Sequence, residues 1–221
     1  MELTAALIEQ RCPARIMPDV PAPSVPEDEL HRGAAQALAE REGDGIWVFA
    51  YGALIWEREY SADEERVGTL PGMARRYCLR DVSNRGTPAR PSLTLGLVPA
   101  EGACPGVLVH LAERGLERNF WAVWRHEMKS GLYRAQWAQV SSEEGAVRAL
   151  TFVADETIPL FAGALPEHEV AAILAATSGK GGPAADYLRQ TASAMTARGA
   201  PDPYLDRLAA AVAVRLQPAA A

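Results

Sequence analysis

Residues 113–129 read ERGLERNFWAVWRHEMK, and helical spacing puts Leu116, Phe120 and Val123 on one face at i, i+4 and i+7. The next position on that stripe, i+11, is Glu127, with Trp124 and Met128 widening the apolar face beside it. A carboxylate against an apolar wall is desolvated, which raises its pKa and makes it a stronger base than a surface glutamate. The chemistry such a group can do is proton transfer. Two other readings stand beside this one. The helix end frays and Glu127 turns to water, or Glu127 pairs with Arg125, Arg134 or another arginine, since buried carboxylates are rare without partners.

A second segment, WVFAYGALIW at 47–56, has the apolar content of a buried strand but carries Tyr51, Gly52 and Ala53 at its centre. Other signatures fail. SGKGGP at 178–183 lacks the GxxxxGK[ST] spacing of a phosphate loop and follows no clear strand. HEMKS at 126–130 lacks the second histidine of HExxH, and no GxSxG occurs. His31, His110, His126 and His168 show no ligand spacing, so no metal site is expected.

The bulk numbers narrow the class. A chain of 221 residues suits one domain with appendages. The net charge of −6, without a dense Lys/Arg block, excludes a general nucleic-acid binder. No apolar run approaches the roughly 20 residues that cross a bilayer, and the N-terminus has no signal-peptide pattern. Cys12, Cys78 and Cys104 are odd in number and form no CxxC, which suits free thiols in a reducing cytoplasm.

The elements that must position these residues follow from periodicity and punctuation. Prolines 13, 18, 21, 23 and 26 predict an extended arm over 1–26, before a helix over 27–42. Strands are predicted at 46–51, 65–70, 75–81, 92–98 and 106–111, then the 113–129 helix, then strands at 132–140 and 147–154. Helices are predicted at 166–177, 184–198 and 203–216, the last capped by Asp202-Pro203 with Leu205, Leu208, Val212 and Leu216 on one stripe. This order argues an α+β fold, with the short strands able to curl into a small barrel and a helical C-terminal third. Residues 1–45 are expected to be an arm and helix preceding a domain over 46–216.

Five ordered segments, spanning about residues 46–208, resemble the gamma-glutamylcyclotransferases, and within them the bacterial ChaC-like branch that acts on glutathione. WVFAYGALIW resembles the YGSL signature loop of that family, and FWAVWRHEMKSGLYR resembles the segment with its catalytic glutamate. CLRDVSNRGTPARPSLTLGLVP, VRALTFVAD and DYLRQTASAMTARGAPDPYLDRL fit the ChaC-like branch. The resemblance implies a small mixed β-barrel with flanking helices and a reaction without cofactor, metal or nucleotide. In that reaction the γ-glutamyl α-amine attacks its own γ-amide carbonyl, closing 5-oxoproline and releasing Cys-Gly from glutathione. It implies Glu127 as the general acid/base.

The same resemblance makes Val48, Phe49, Ala50, Tyr51, Gly52, Ala53 and Leu54 the substrate loop, whose backbone N–H groups form a nest for the substrate's α-carboxylate. Gly52 would permit a conformation or close approach that a Cβ hinders. Tyr51 either packs over the glutamyl chain or hydrogen-bonds it, or else is a half-buried strand tyrosine. Arg80, with Asp81 and Arg85 near the RGTP turn, either shapes the pocket or holds the turn; Tyr133 orients substrate or fills core; Tyr187 matches a pocket-facing position. The chain departs from the pattern at Ala50 and Ala53, where GYGSL has Gly and Ser, and at Asn84, where relatives often carry His. The alternatives are a cyclotransferase for another γ-glutamyl amine or peptide, and a γ-glutamyl-binding module without turnover.

Overall fold

The apolar run after Gly45 becomes strand β1 (Ile46–Ala50) in the computed structural model, which describes residues 2–17 and 24–218. The further strands are β2 (Glu64–Asp81), β3 (Ser92–Leu111), β4 (Tyr133–Ser142), β5 (Gly145–Ala154), β6 (Ser178–Gly179) and β7 (Gly182–Pro183). The helices are α1 (Ala5–Arg11), α2 (Glu27–Ala39), α3 (Leu116–Met128), α4 (Glu167–Ala176), α5 (Ala184–Thr196) and α6 (Pro203–Leu216). Contacts divide the chain into a barrel unit, residues 23–76 and 96–155, and a helical unit, residues 1–22, 77–95 and 156–221.

In the barrel unit the strand order β1-β3-β2-β4-β5 closes on itself. Strand β1 pairs antiparallel with β3, from Ile46↔Leu111 to Ala50↔Val107, and parallel with β5 at Val48↔Leu150. Strands β4 and β5 pair antiparallel along their whole length, from Tyr133↔Ala154 to Ser142↔Gly145. Strand β2 joins β4 at Gly68↔Ser142, and a parallel contact at Leu97↔Val153 links β3 to β5. Within the barrel, closure pairs the strands that an open sheet would leave at its edges. Val48 and Phe49 point to opposite faces and are both fully buried, which is why β1 reads as a continuous apolar run and does not alternate.

Helices α2 and α3 flank this barrel. Gly33, in the middle of α2, lies against the Trp124 indole of α3: a Cβ there would stand 2.6 Å from Cζ2. His31 of α2 stacks on Trp121 of α3 at 3.9 Å. The α+β barrel with flanking helices is thus the architecture expected.

Two expectations fail. Pro71-Gly72 and the Gly102 turn do not end strands; β2 and β3 run through them. Gly72 and Gly102 take positive φ (71° and 93°) at exposed positions, bending the backbone without breaking it. The arm is not wholly extended either. Thr4 Oγ1 accepts from Leu7 N at 3.2 Å and caps α1, which stops at Cys12 before the first arm proline. Residues 18–23 of the arm lie outside the described residues.

In the helical unit α6 starts as expected, with Asp202 accepting from Tyr204 N at 2.8 Å and Pro203 at the first helical position. Its stripe of Leu205, Leu208, Val212 and Leu216 is buried. Among the described residues no helix is long and apolar enough to cross a membrane.

Gly106 of β3 is required by β1. A Cβ there would stand 2.5 Å from Phe49 Cζ and 2.7 Å from the Ala50 carbonyl oxygen. The ring can yield only into packed core, and the carbonyl belongs to the ladder. Gly106→Ala is therefore expected to destabilise by about 1–3 kcal/mol through overpacking, read as a lower urea midpoint at unchanged m-value.

Candidate active site

Helix α3 carries its apolar stripe as spaced: Leu116, Phe120, Val123 and Trp124 are buried. It begins later than predicted because Gly115 adopts the left-handed conformation (φ 82°) at its N-cap. Trp124 also meets Phe152 of β5 edge-on, at 6.1 Å between ring centroids. The C-terminal end is fastened too. Val25 N donates to Lys129 O at 2.9 Å, and Gly131 (φ 67°) turns the chain away, its N–H donating to Met128 O at 3.1 Å.

Glu127 therefore stands in an ordered last turn, which disposes of fraying. Pairing fails as well. Arg125 faces Glu27 at 3.8 Å and Arg134 faces Asp155 at 3.8 Å. Among the described residues no hydrogen bond or ion pair takes the Glu127 carboxylate. The residue keeps some surface accessible to water, yet protein atoms crowd its carboxyl group. A recessed position gives both. Burial pushes the carboxyl pKa above the ordinary carboxylate range, and the neighbouring His126 opposes it more weakly.

The loop after β1 forms in the same unit. Ala50 ends the strand, Gly52 (φ −135°) precedes a 3-10 turn at Ala53–Ile55, and Ile55 N returns to Gly52 O at 3.1 Å. Gly52 thus needs no left-handed conformation. The N–H groups of Gly52, Ala53 and Leu54 have no acceptor among the described residues. Three successive donors without protein acceptors are the raw material of an anion nest. Ala53 contributes its N–H to this set whether or not a hydroxyl follows, and its carbonyl accepts from Trp56 N and Glu57 N at 2.9 and 2.7 Å.

Tyr51 is buried, and its hydroxyl donates to the Phe152 carbonyl at 2.6 Å. The loop and α3 thus lean on one residue of β5, the loop through a hydrogen bond and α3 through Trp124. The Tyr51 carbonyl accepts from Arg75 Nε at 2.7 Å, while Arg75 Nη2 donates to Pro105 O at 2.7 Å. Arg75 is 1% exposed. Neither Arg75 nor Phe152 stands out in the sequence. An arginine in ARRY on a strand reads as surface, and a phenylalanine in an apolar strand reads as core.

Of the other residues singled out, Val48, Phe49, Ala50 and Leu54 are buried loop anchors. Tyr133 is half-buried at the start of β4, opposite Ala154. Arg80 and Tyr187 belong to the helical unit. There Arg80 is exposed on β2, and Tyr187 is buried on α5 with its ring edge-on to Tyr77 at 6.2 Å. Asp81 holds the turn, accepting from Ser83 N, Asn84 N and Arg85 N at 2.9, 2.8 and 2.6 Å.

A barrel of this kind is found in the crystal structure of a yeast gamma-glutamyl cyclotransferase specific to glutathione. The two superpose with a TM-score of 0.69 over 78% of this chain and 100% of that one, at 18% identity, a likeness of fold. In sequence, residues 46–215 match the family described as ChaC-like protein. The chain is 33% identical to the glutathione-specific gamma-glutamylcyclotransferase of Escherichia coli (strain K12), covering 80% of this chain and 78% of that one. It is 25% identical to glutathione-specific gamma-glutamylcyclotransferase 1 of Homo sapiens, over 88% of this chain and 91% of that one. The chain belongs to the ChaC-like family.

The two ties of the loop should separate in unfolding experiments. Tyr51→Phe leaves the Phe152 carbonyl without this donor and is expected to cost about 1–3 kcal/mol. Arg75→Met strips donors from two carbonyls at once and should cost more, about 2–5 kcal/mol. Urea denaturation monitored by tryptophan fluorescence reads both, and the reverse order would contradict the role given to Arg75.

Proposed function

We propose that this chain cleaves glutathione to 5-oxoproline and Cys-Gly, with Glu127 as general acid/base and the loop at 48–54 holding the γ-glutamyl group. The observation that carries the reading is Glu127 itself, a recessed carboxyl with a raised pKa, without a partner among the described residues. Family membership and the curated names of its relatives supply the substrate class.

The substrate's α-carboxylate sits on the N–H groups of Gly52, Ala53 and Leu54, which turns the α-amine toward its own γ-carbonyl. Glu127 removes a proton from that nitrogen. The nitrogen attacks the γ-carbon, a new C–N bond closes the five-membered lactam, and the old γ-amide C–N bond breaks. Glu127 returns the proton to the departing cysteine nitrogen. Atoms balance without water. Because nucleophile and electrophile share one molecule, orientation alone supplies a large part of the acceleration, up to about 7–11 kcal/mol in well-aligned intramolecular reactions. No serine or cysteine nucleophile is needed. Tyr133 remains a residue that orients substrate in this reading.

Incubating the protein with glutathione and measuring 5-oxoproline tests the reaction; a folded protein that forms none would overturn it. A panel of other γ-glutamyl amines and peptides fixes the substrate. Glu127→Gln is expected to lower kcat by about 10²–10⁴-fold. For the wild type, activity should rise with pH as Glu127 loses its proton, along a limb displaced above the ordinary glutamate value of about 4.3.

Stability should respond in the opposite sense. The folded pKa is raised, so the stabilisation Glu127 gives is complete below its unfolded pKa and lost as pH rises through the folded one. At neutral pH the ionised carboxylate is a burden that glutamine removes. Glu127→Gln should therefore melt higher than wild type at neutral pH, with the gain vanishing below about pH 4. Equal melting temperatures at every pH would contradict the buried-carboxylate argument.

A further inference from the structure

Each N–H group offered by the loop after β1 belongs to a peptide unit whose carbonyl oxygen is already engaged. Gly52 N–H shares its unit with the Tyr51 carbonyl, Ala53 N–H with the Gly52 carbonyl, and Leu54 N–H with the Ala53 carbonyl. The Gly52 carbonyl accepts from Ile55 N at 3.1 Å, and the Ala53 carbonyl accepts from Trp56 N and Glu57 N at 2.9 and 2.7 Å. Those donors are neutral amides of the turn itself. The Tyr51 carbonyl accepts instead from the guanidinium of Arg75, at 2.7 Å from Nε.

An amide whose carbonyl accepts a hydrogen bond donates better through its N–H, because chained hydrogen bonds polarise one another. A charged donor makes a bond roughly twice as strong as a neutral one. Arg75 is 1% exposed, so its bond to Tyr51 forms away from bulk water, where it is stronger still. Of the three peptide units, the one that presents Gly52 N–H is therefore the most polarised. It is also firmly aimed. The Tyr51 hydroxyl is held by Phe152 O at 2.6 Å, and Arg75 Nη2 is fixed on Pro105 O at 2.7 Å. At the other end of the donor row the Tyr60 hydroxyl donates to Leu54 O at 2.6 Å. All of these residues lie in the barrel unit.

We propose that Arg75 is a positioning residue that selects substrates carrying a free α-carboxylate, by aiming and polarising the Gly52 N–H that receives it. It acts through the Tyr51–Gly52 peptide and not by contact with substrate. This role rests on the placement of the γ-glutamyl group proposed above.

The test compares wild type, Arg75→Met and Arg75→Lys on two substrates: glutathione, and glutathione whose γ-glutamyl α-carboxylate is a carboxamide. Release of Cys-Gly is followed for both. A carboxamide oxygen is a neutral acceptor and gains less from a polarised donor. Arg75→Met is expected to raise KM for glutathione about 3- to 10-fold, with KM for the carboxamide within about twofold. On glutathione kcat stays within about threefold. Arg75→Lys keeps a charged donor for one of the two carbonyls and recovers part of the loss. Tyr51→Phe loosens the loop but leaves the donor to the Tyr51 carbonyl, so it moves both substrates together. An equal rise in KM for both substrates in Arg75→Met, or no rise, overturns the proposal and leaves Arg75 a structural tie.

A second measurement needs neither an Arg75 variant nor turnover, and decides if the variants do not fold or if wild type cleaves nothing. In Glu127→Gln the Gly52 amide proton is expected to move downfield when glutathione is added, further than those of Ala53 and Leu54, and to stay in place with the carboxamide. Equal shifts at the three amides, or none at Gly52, overturn the proposal. A Gly52 shift without any cleavage by wild type strikes the reaction and upholds the role of Arg75.

Discussion

The candidate active site depends on where the Trp124 indole lies. One side rests on the bare backbone of Gly33 in α2, and the ring also meets Phe152 of β5 and Phe120 of its own helix. A glycine inside a helix costs about 0.5–1 kcal/mol relative to alanine. An aromatic ring buries about 150–250 Å², an upper estimate of about 4–6 kcal/mol at 25 cal/mol/Å². The trade favours the contact by a wide margin. With Trp124 fixed, Glu127 three residues on has no freedom left except its own rotamers, because Val25 and Gly131 hold the helix end. Residues that precede the family match at 46–215 thus fasten the helix bearing the acid.

Guanidinium groups set against backbone carbonyls recur in this chain. In the barrel unit Arg75 ties the Tyr51 and Pro105 carbonyls. In the helical unit Arg85 takes the Gly181 carbonyl. A carbonyl accepts without bringing a full negative charge. A buried carboxylate would bring a desolvation penalty of its own, and the arginine's charge would be cancelled.

What could be read in the sequence was what period and punctuation control. The 3.6-residue stripe located α3 and put Glu127 at its end, and Asp202-Pro203 placed the start of α6. Proline and glycine misled where their position mattered more than their type. Pro71-Gly72 reads as a strand end but is an exposed bend within β2, and the arm prolines hid a Thr4-capped helix that ends before them. Tertiary partners were not legible. Arg125 and Arg134 are equally plausible mates for Glu127 by sequence, and only the fold sends them to Glu27 and Asp155. The same holds for Tyr51, whose hydroxyl goes to a carbonyl a hundred residues away, and for Arg75, whose burial no local pattern announces.

The diversion of those two arginines matters for chemistry more than for stability. Both pairs are long, at 3.8 Å, and both arginines are substantially exposed, so each pair adds little to folding. A cation brought beside Glu127 would do two things at once. It would relieve the desolvated carboxylate, and it would draw the pKa back toward the ordinary range. The fold would gain and the raised pKa would be lost. Leaving the acid unpaired is the less stable arrangement, and it is the one that keeps its pKa raised. Glu27, at the start of α2, draws Arg125 outward, so even a weak surface pair contributes by keeping its arginine elsewhere.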